Sequence, residues 1–387
     1  MSSETVVNDT DKSRPIRLAL DVMGADSSPA VIAQGGVDAA LEFGPEVEIA
    51  LIGREEEINA LFAGGVARPA NVTVHHAPHV INMDDSPAEA VRRTGTSVAV
   101  GLQMHKAGEV DAFISPGNTG AVMAGALLAL GRLPGVNRPA ICAVFPTAKF
   151  KPTIVLDVGA NAVCKPPHLV QFAALGSAYA MAMHGNPSPR VGLLSIGEER
   201  SKGHDLIFQS HQLLENSKLN FVGNIEGRDI LSGDLDVVVT DGFTGNVALK
   251  FAESIEGFLT RRLRHQISTN IFSRAGALLM APFLRRLRTA FDYAEAGGAP
   301  LLGINGVTLI CHGSSSPRAI KNGLATALRM VKSGLIEQTR ELMKENDLLH
   351  IKTSGEALQS EAQRAARERR ETDRVSEPAE SVEAQQT

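Results

Sequence analysis

The chain has 387 residues, is 43% hydrophobic and 21% charged, and carries a formal net charge of -5. That length and apolar content can bury one large core or two joined ones, and the mildly acidic total argues against a general nucleic-acid binder, which shows a basic excess. The three cysteines, Cys142, Cys164 and Cys311, fit no paired metal spacing or CxxC redox motif and read as core residues of a reducing compartment.

Met1 to Pro15 is polar, carries both charge signs and lacks the apolar run of a secretory signal, so residues 1–15 are expected to form a disordered N-terminus of a cytoplasmic protein. From Ile16 onward one pattern recurs. A short apolar run ends in a loop of Gly, Ser, Asn, Thr and Asp, and a helical pattern follows. The instances are IRLALDVMGADSSP from Ile16, DAFISPGNTGA from Asp111, TIVLDVGANAV from Thr153, RVGLLSIGEERSKGHD from Arg190, DVVVTDGFTGNVA from Asp236 and GVTLICHGSSSP from Gly306. Strands alternating with helices imply parallel strands joined by right-handed crossovers, so the sequence predicts a layered α/β/α fold with a mostly parallel sheet over residues 16–353. In such a sheet all six loops are expected at one edge, beyond the carboxyl ends of the strands, where ligands of open α/β sheets bind. The longest apolar stretches, such as Ala121 to Leu130, are too short to span a bilayer.

Two regions break the alternation. Residues 257–291 are helical in pattern, contain no acidic residue, and carry Arg261, Arg262, Arg264, Arg274, Arg285, Arg286 and Arg288 beside Phe272, Leu278, Leu279, Met280, Phe283 and Leu284, a basic amphipathic insertion. Residues 354–387 are rich in Glu, Arg, Ala, Gln and Ser, with almost no large apolar residue. They are expected to be a disordered or partly helical tail.

The loops carry a specific resemblance. Asp21-Val-Met-Gly24-Ala-Asp26, Ser115-Pro-Gly-Asn118-Thr-Gly120, Asp157-Val-Gly159-Ala-Asn161, Gly197-Glu-Glu199 with Lys202-Gly203, Thr240-Asp-Gly-Phe-Thr-Gly-Asn246, and Gly297 to Gly303 followed by His312-Gly-Ser-Ser315 occur in the order and spacing of the phosphate acyltransferase family of phospholipid synthesis, which this chain resembles over roughly Ile16 to Leu342. Ala25, Pro116, Val163 and Ser195 depart from the family pattern. The resemblance implies a fold like the isocitrate and isopropylmalate dehydrogenases and the phosphotransacetylases. It also implies a long-chain acyl transfer from acyl carrier protein to inorganic phosphate, a homodimer, and peripheral association with the inner face of the cell membrane, where the downstream membrane acyltransferase is a further expected partner; no cofactor and no nucleic-acid partner are expected.

Phosphate attack on a thioester needs a held anion, stabilisation of the carbonyl oxyanion and an exit for a thiolate. Because thiols ionise near about 8.5, little acid help and no metal is required, and positioning and electrostatics carry the rate. Small polar loops at helix starts bring backbone N–H groups close to an anion. The expected phosphate and substrate residues are therefore Asp21 and Gly24; Asn118, Thr119 and Gly120; Asp157, Gly159 and Asn161; Gly197 and Glu198; Asp241 to Gly245 (Gly242, Phe243, Thr244); Gly298 and Asn305; and Gly313, Ser314 and Ser315. Helix capping is the competing use of Asn118 and Thr119, and a turn plus cap that of Asp241 to Asn246.

His312, Lys202 and Asn246 are the candidate catalytic residues. His312 would be a general base or a phosphate donor, against the structural role usual for a lone histidine. Lys202 would neutralise phosphate, against being a solvated surface lysine. For Asp21, Asp157 and Asp241, bonding of loop N–H groups is preferred to metal binding. Cys164 and Ser195 have no sequence-local base and read as inert rather than as acyl-enzyme nucleophiles. The arginine-rich segment suits docking to acidic acyl carrier protein or to an anionic leaflet, with a dimer-packing helix as its alternative. Three rivals are a coenzyme A-dependent phosphotransacetylase, a dehydrogenase of the isocitrate type, and a non-catalytic docking protein. The absence of GxGxxG and P-loop motifs weighs against the second.

Overall fold

A computed structural model describes residues 14–268, 271–291, 297–346 and 348, and only the backbone of 256 and 284–291. The expected tail at 354–387, almost all of the expected N-terminal segment, and the side chains of Arg285, Arg286 and Arg288 lie outside the described residues.

The strand sequences explain the architecture. AFIS, TIVL, VVV and VTLI are buried at every residue, as expected for strands covered on both faces. With their neighbours they make one sheet of eleven strands in the order β3-β2-β1-β4-β11-β10-β5-β6-β9-β7-β8. In chain order these are β1 (Ile16–Asp21), β2 (Val47–Gly53), β3 (Val72–His76), β4 (Ala112–Ser115), β5 (Ala140–Phe145), β6 (Thr153–Leu156), β7 (Val191–Leu194), β8 (Phe221–Ile225), β9 (Val237–Val239), β10 (Ala299–Leu302) and β11 (Val307–Ile310). The helices are α1 (Pro29–Phe43), α2 (Glu55–Ala63), α3 (Pro87–Ala90), α4 (Ser97–Lys106), α5 (Thr119–Ala129), α6 (Pro166–His184), α7 (Asp205–Glu215), α8 (Gly242–Ser268), α9 (Ile271–Phe291), α10 (Pro317–Lys332) and α11 (Leu335–Glu345).

Helices cover both faces of the first strands, and glycine lets them sit close. A Cβ on Gly101 of α4 would lie 2.3 Å from the Phe113 ring, whereas one on Gly36 of α1 would lie 2.8 Å from Leu51. Phe113 pairs with Ala19, and Leu51 pairs with Leu20, so the two helices meet alternate residues of β1 and hence opposite faces. The predicted α/β/α layering is what the chain adopts.

One expectation fails. Strands β1, β2, β3, β4 and β11 run parallel to one another, as do β6, β7, β8 and β9. Between these blocks β10 is antiparallel to both β11 and β5, and β5 is antiparallel to β6. Three reversals leave the second block pointing against the first. The physical cause is the connection from Phe145 to Thr153, residues 146–152, which contains no helix. A parallel crossover needs about a dozen residues, so this link can only turn the chain back. The six polar loops therefore do not share an edge. Those after β1, β4 and β11 lie at one edge of the sheet, and those after β6, β7 and β9 lie at the other.

Candidate active site

At the first edge the three loops each feed a helix, and the helix starts are written in the sequence. Asn118 caps α5, its Oδ1 accepting from the Ala121 amide at 3.0 Å, and Ser316 caps α10, its Oγ accepting from Ala319 at 3.2 Å. Pro29 and Pro317 open α1 and α10, where a missing N–H costs nothing. The loops are tied together. The amides of Asp26 and Ser27 donate to the Gly313 carbonyl at 2.9 and 3.2 Å, the Ser27 hydroxyl donates to the Ser315 carbonyl at 3.3 Å, and the Cys311 amide donates to the Ser115 carbonyl at 2.9 Å.

Asp21 ends β1, fully buried beneath this cluster. Its carboxylate accepts from the Met23 amide at 2.9 Å and the Ser115 hydroxyl at 2.7 Å, and the Ser115 oxygen accepts from the Gly117 amide at 3.1 Å. Burial pushes its pKa up to about 6, against hydrogen bonds from the Ser97 and Ser115 hydroxyls and the Met23 amide. Asp21 thus ties the loops together. Asn118 is likewise spent, because its amide nitrogen donates to the carbonyls of Met83 and Asp85 at 3.0 Å each and of Asn82 at 3.4 Å. By contrast, the backbone amides of Thr119 and Gly120, in the first turn of α5, meet no acceptor among the described residues.

His312 is exposed just beyond β11. Its Nδ1 accepts from the Ser314 amide at 3.2 Å and lies 2.8 Å from the Ser314 hydroxyl. A ring nitrogen that accepts from a backbone amide carries no proton, so the neutral imidazole holds its hydrogen on Nε2. Gly24, Gly298, Gly313 and Ser315 belong to the same edge; a Cβ on Gly24 would lie 3.8 Å from Gly117, and one on Gly298 3.1 Å from the Cys311 sulfur.

At the second edge the turns after β6 and β9 direct their amides inward. The Asp157 carboxylate, fully buried, takes five N–H bonds: the amides of Ile141, Gly159, Ala160 and Asn161 at 3.0, 3.2, 3.0 and 2.6 Å, and the Asn161 side chain at 2.9 Å. Burial raises its pKa, and those bonds oppose the rise. Asp241 opens α8 by accepting from the Thr244 amide at 2.9 Å and hydroxyl at 2.8 Å. The amides of Gly242 and Gly245 also find carbonyls, those of Asn161 and Asp241, at 2.8 and 3.0 Å. The aspartates therefore bond loop N–H groups, the role preferred from sequence.

Asn246 lies beside Gly159, and Phe243 is exposed. Lys202 is exposed on the loop of Gly197 and Glu198, its carbonyl accepting from the Ser195 hydroxyl at 3.1 Å, while Glu198 pairs with Arg228 at 3.3 Å. Asn305, in the turn between β10 and β11, accepts from Arg340 at 2.5 Å. Burial pushes the Cys164 thiol up to about 12, so it is no nucleophile near neutral pH. No group of three or more His, Cys, Asp or Glu able to hold a metal occurs among the described residues.

The structure thus separates the three candidate catalytic residues, His312 at one edge and Lys202 and Asn246 at the other. Even a four-residue strand spans about 13 Å, against the roughly 3.5 Å at which reacting atoms must meet.

Comparison with known proteins fixes the family. The model of a family described as fatty acid synthesis protein matches residues 16–338. Phosphate acyltransferases from Myxococcus xanthus and Geobacter sulfurreducens are 48% identical over 324 residues and 44% identical over 330; the alignments cover 83% and 85% of this chain and 91% and 94% of theirs. The chain belongs to the phosphate acyltransferase family. Solved structures of a EutD phosphotransacetylase from Staphylococcus aureus (TM-score 0.54, 17% identity, 82% of this chain and 94% of that one) and a branched-chain phosphotransacylase from Enterococcus faecalis (0.53, 12%, 82% and 99%) share its fold.

In this phosphate acyltransferase the segment flanking the start of α5 adds residues that sequence reading passed over. Asn118 holds residues 82–85, and α3 packs on α5 so closely that a Cβ on Gly120 would lie 2.5 Å from Pro87. The two cations that follow α3, Arg92 and Arg93, are exposed, and Arg93 pairs with Asp85 at 2.7 Å. The signal was the run SPAEAVRR, but its placement depends on hydrogen bonds to a residue more than thirty positions away.

The basic region is a helical pair, α8 and α9, that starts at Gly242 inside the second-edge loop rather than as a separate insertion. Arg261, Arg262, Arg264 and Arg274 are exposed beside bare apolar side chains, Phe272 at 84% and Leu279 at 82%. No helix among the described residues is long and apolar enough to cross a membrane.

Proposed function

We propose that this enzyme transfers a long-chain fatty acyl group from acyl carrier protein to inorganic phosphate at the first edge, giving acyl phosphate for phosphatidic acid and phospholipid synthesis. What supports the placement is the pair of amides at the start of α5, Thr119 and Gly120, which meet no acceptor among the described residues and lie at the edge of the Gly24 and His312–Ser315 loops, whereas the Asp157 and Asp241 turns at the other edge hold their own amides. A helix amino terminus with open N–H groups favours an anion, and Arg92 and Arg93 add charge. A phosphate oxygen attacks the thioester carbonyl, the C–O bond forms, the C–S bond breaks, and the carrier leaves as a thiolate that takes up a proton from water. His312, with its hydrogen on Nε2, donates to the oxyanion that forms on the carbonyl oxygen.

Incubating the purified chain with acyl-carrier-protein thioester and phosphate, then trapping with hydroxylamine, is expected to yield phosphate-dependent hydroxamate. None with either carrier or coenzyme A donors rejects the transfer; preference for the coenzyme A donor favours the phosphotransacetylase rival.

The same reading includes a cytoplasmic homodimer resting on the inner face of the membrane through α8 and α9. What supports it is the coincidence of exposed arginines with exposed Phe272, Leu278 and Leu279 and no acidic residue from 257 to 291. Each Arg near an anionic leaflet adds about 1 kcal/mol, so replacing Arg261, Arg262 and Arg264 together by Glu is expected to abolish cosedimentation with phosphatidylserine vesicles. Unchanged sedimentation rejects that contact.

A further inference from the structure

We propose that the cleft between α4 and α5 seats the hydrocarbon chain of the acyl donor, and that Ala99, Gly125 and Leu128 set its preferred length. This rests on the transfer reading above and adds to it a place for the chain.

Helix α5, TGAVMAGALLA, contains no charged residue. A helix apolar all round is ordinarily enclosed, yet α5 buries Ala121, Val122 and Ala126 and leaves Leu128 71% exposed. Its outer flank therefore lacks the cover its composition calls for. Beside that flank lies a cavity of about 110 Å³ walled by Ile81, Val98, Leu102, Leu128 and Ala129, with Gly125 at its side. Gly125 lets α4 come close to α5 along this wall: a Cβ there would lie 2.9 Å from Leu102 and 3.6 Å from Val98, so any side chain at 125 displaces Leu102.

The position fits one occupant. Gly125 and Ala129 stand six and ten residues beyond Thr119, about 9 and 15 Å along the helix axis. A fatty acyl thioester has that dimension and polarity, with its carbonyl at the amino end of α5 and its methylenes along the flank. The wall residue Ile81 directly precedes the carbonyls of residues 82–85 that Asn118 holds, so one segment shapes both the anion loop and the cleft. Thr96 and Gln103 are the polar residues of the lining, and the remaining walls are aliphatic side chains and Gly125, a surface that gains from contact with methylenes.

The test uses the full chain with acyl-carrier-protein donors from hexanoyl to stearoyl, reading kcat/KM against chain length. Ala99→Leu and Gly125→Ala narrow the cleft. Each methylene kept out of an apolar site loses about fourfold, so the ratio of stearoyl to hexanoyl kcat/KM is expected to fall roughly tenfold or more, moving the optimum to shorter chains. Leu128→Gln changes an exposed position that folding does not need, and is expected to raise KM for stearoyl more than for hexanoyl.

An unchanged length profile in all three variants overturns the proposal while leaving the transfer reading intact. So does an equal loss at every length accompanied by dissociation in sedimentation velocity, which would assign the flank of α5 to a second copy of the chain. Failure of the unaltered protein to form acyl phosphate from any donor would instead remove the transfer reading itself.

Discussion

The turn that opens α5 and the Asp157 and Asp241 turns at the other edge of this sheet are made of the same residue types and do opposite things with them. At the first edge, side chains cap α5 and α10, hold the loops together, and leave the leading amides of α5 open. At the second, Asp157 and Asp241 gather the amides of their own turns into closed knots. Glycine, asparagine and aspartate at a strand end therefore do not by themselves mark an anion site. What decides is whether an internal carboxylate has already claimed the donors, since a carboxylate satisfied by several N–H groups leaves nothing for phosphate.

The sharpest way to break this contrast is Thr119→Pro. Proline is tolerated at the first helical position, and Asn118, at φ -56° and ψ 112°, lies outside the helical region that a following proline disfavours, so the change deletes one N–H with little cost to the helix. The expected loss is roughly 10²- to 10³-fold in kcat, the size seen for removing one oxyanion donor. A change under threefold in steady-state rate would move the anion site elsewhere.

Asp21 gives the next largest effect. Its folded pKa of about 6 exceeds the unfolded value near 3.9, so the native state binds the proton more tightly. The contribution of this group to stability is full below about pH 4, falls as pH rises to about 6, and is flat above. Two units correspond to about 3 kcal/mol. Asp21→Asn is expected to remove that fall, so urea unfolding of variant and parent at pH 4 and pH 7 should differ in slope by about this amount. Parallel pH dependence would show that the carboxylate stays ionised throughout.

Arg92→Gln is expected to raise the KM for phosphate about tenfold, the loss of one charge-assisted hydrogen bond, with kcat less affected. Smallest of all, Asn246→Ala and Lys202→Ala should cost less than about threefold, within the range of surface changes. If either instead abolishes turnover, mixing it with Thr119→Pro chains becomes informative: recovery of activity in the mixed population would mean that one chain's second edge completes its partner's first.

Much of the layered fold was legible because strands covered on both faces are nearly pure apolar runs, as in TIVL and VTLI, and each ends in a polar turn. The reversal was legible too, though only by measuring a gap: Phe145 to Thr153 holds two prolines, Pro146 and Pro152, and no room for a helix. Pattern matching on the GAN turn alone hid it. The capping use of Asn118 was foreseen as an alternative, whereas its grip on residues 82–85 was not, since nothing local in the sequence links positions so far apart. The ring orientation of His312 depends on the amide two residues later, a matter of geometry that composition does not carry.

Helix α8 begins within the Asp241 turn and continues for 27 residues, about 40 Å, to Ser268. It is a single rod with a catalytic domain's loop clamped at one end and greasy, cationic side chains at the other. Leverage follows from that: whatever surface the distal end rests against is mechanically joined to the Asp241 knot, so the two ends cannot be repositioned independently without bending the rod.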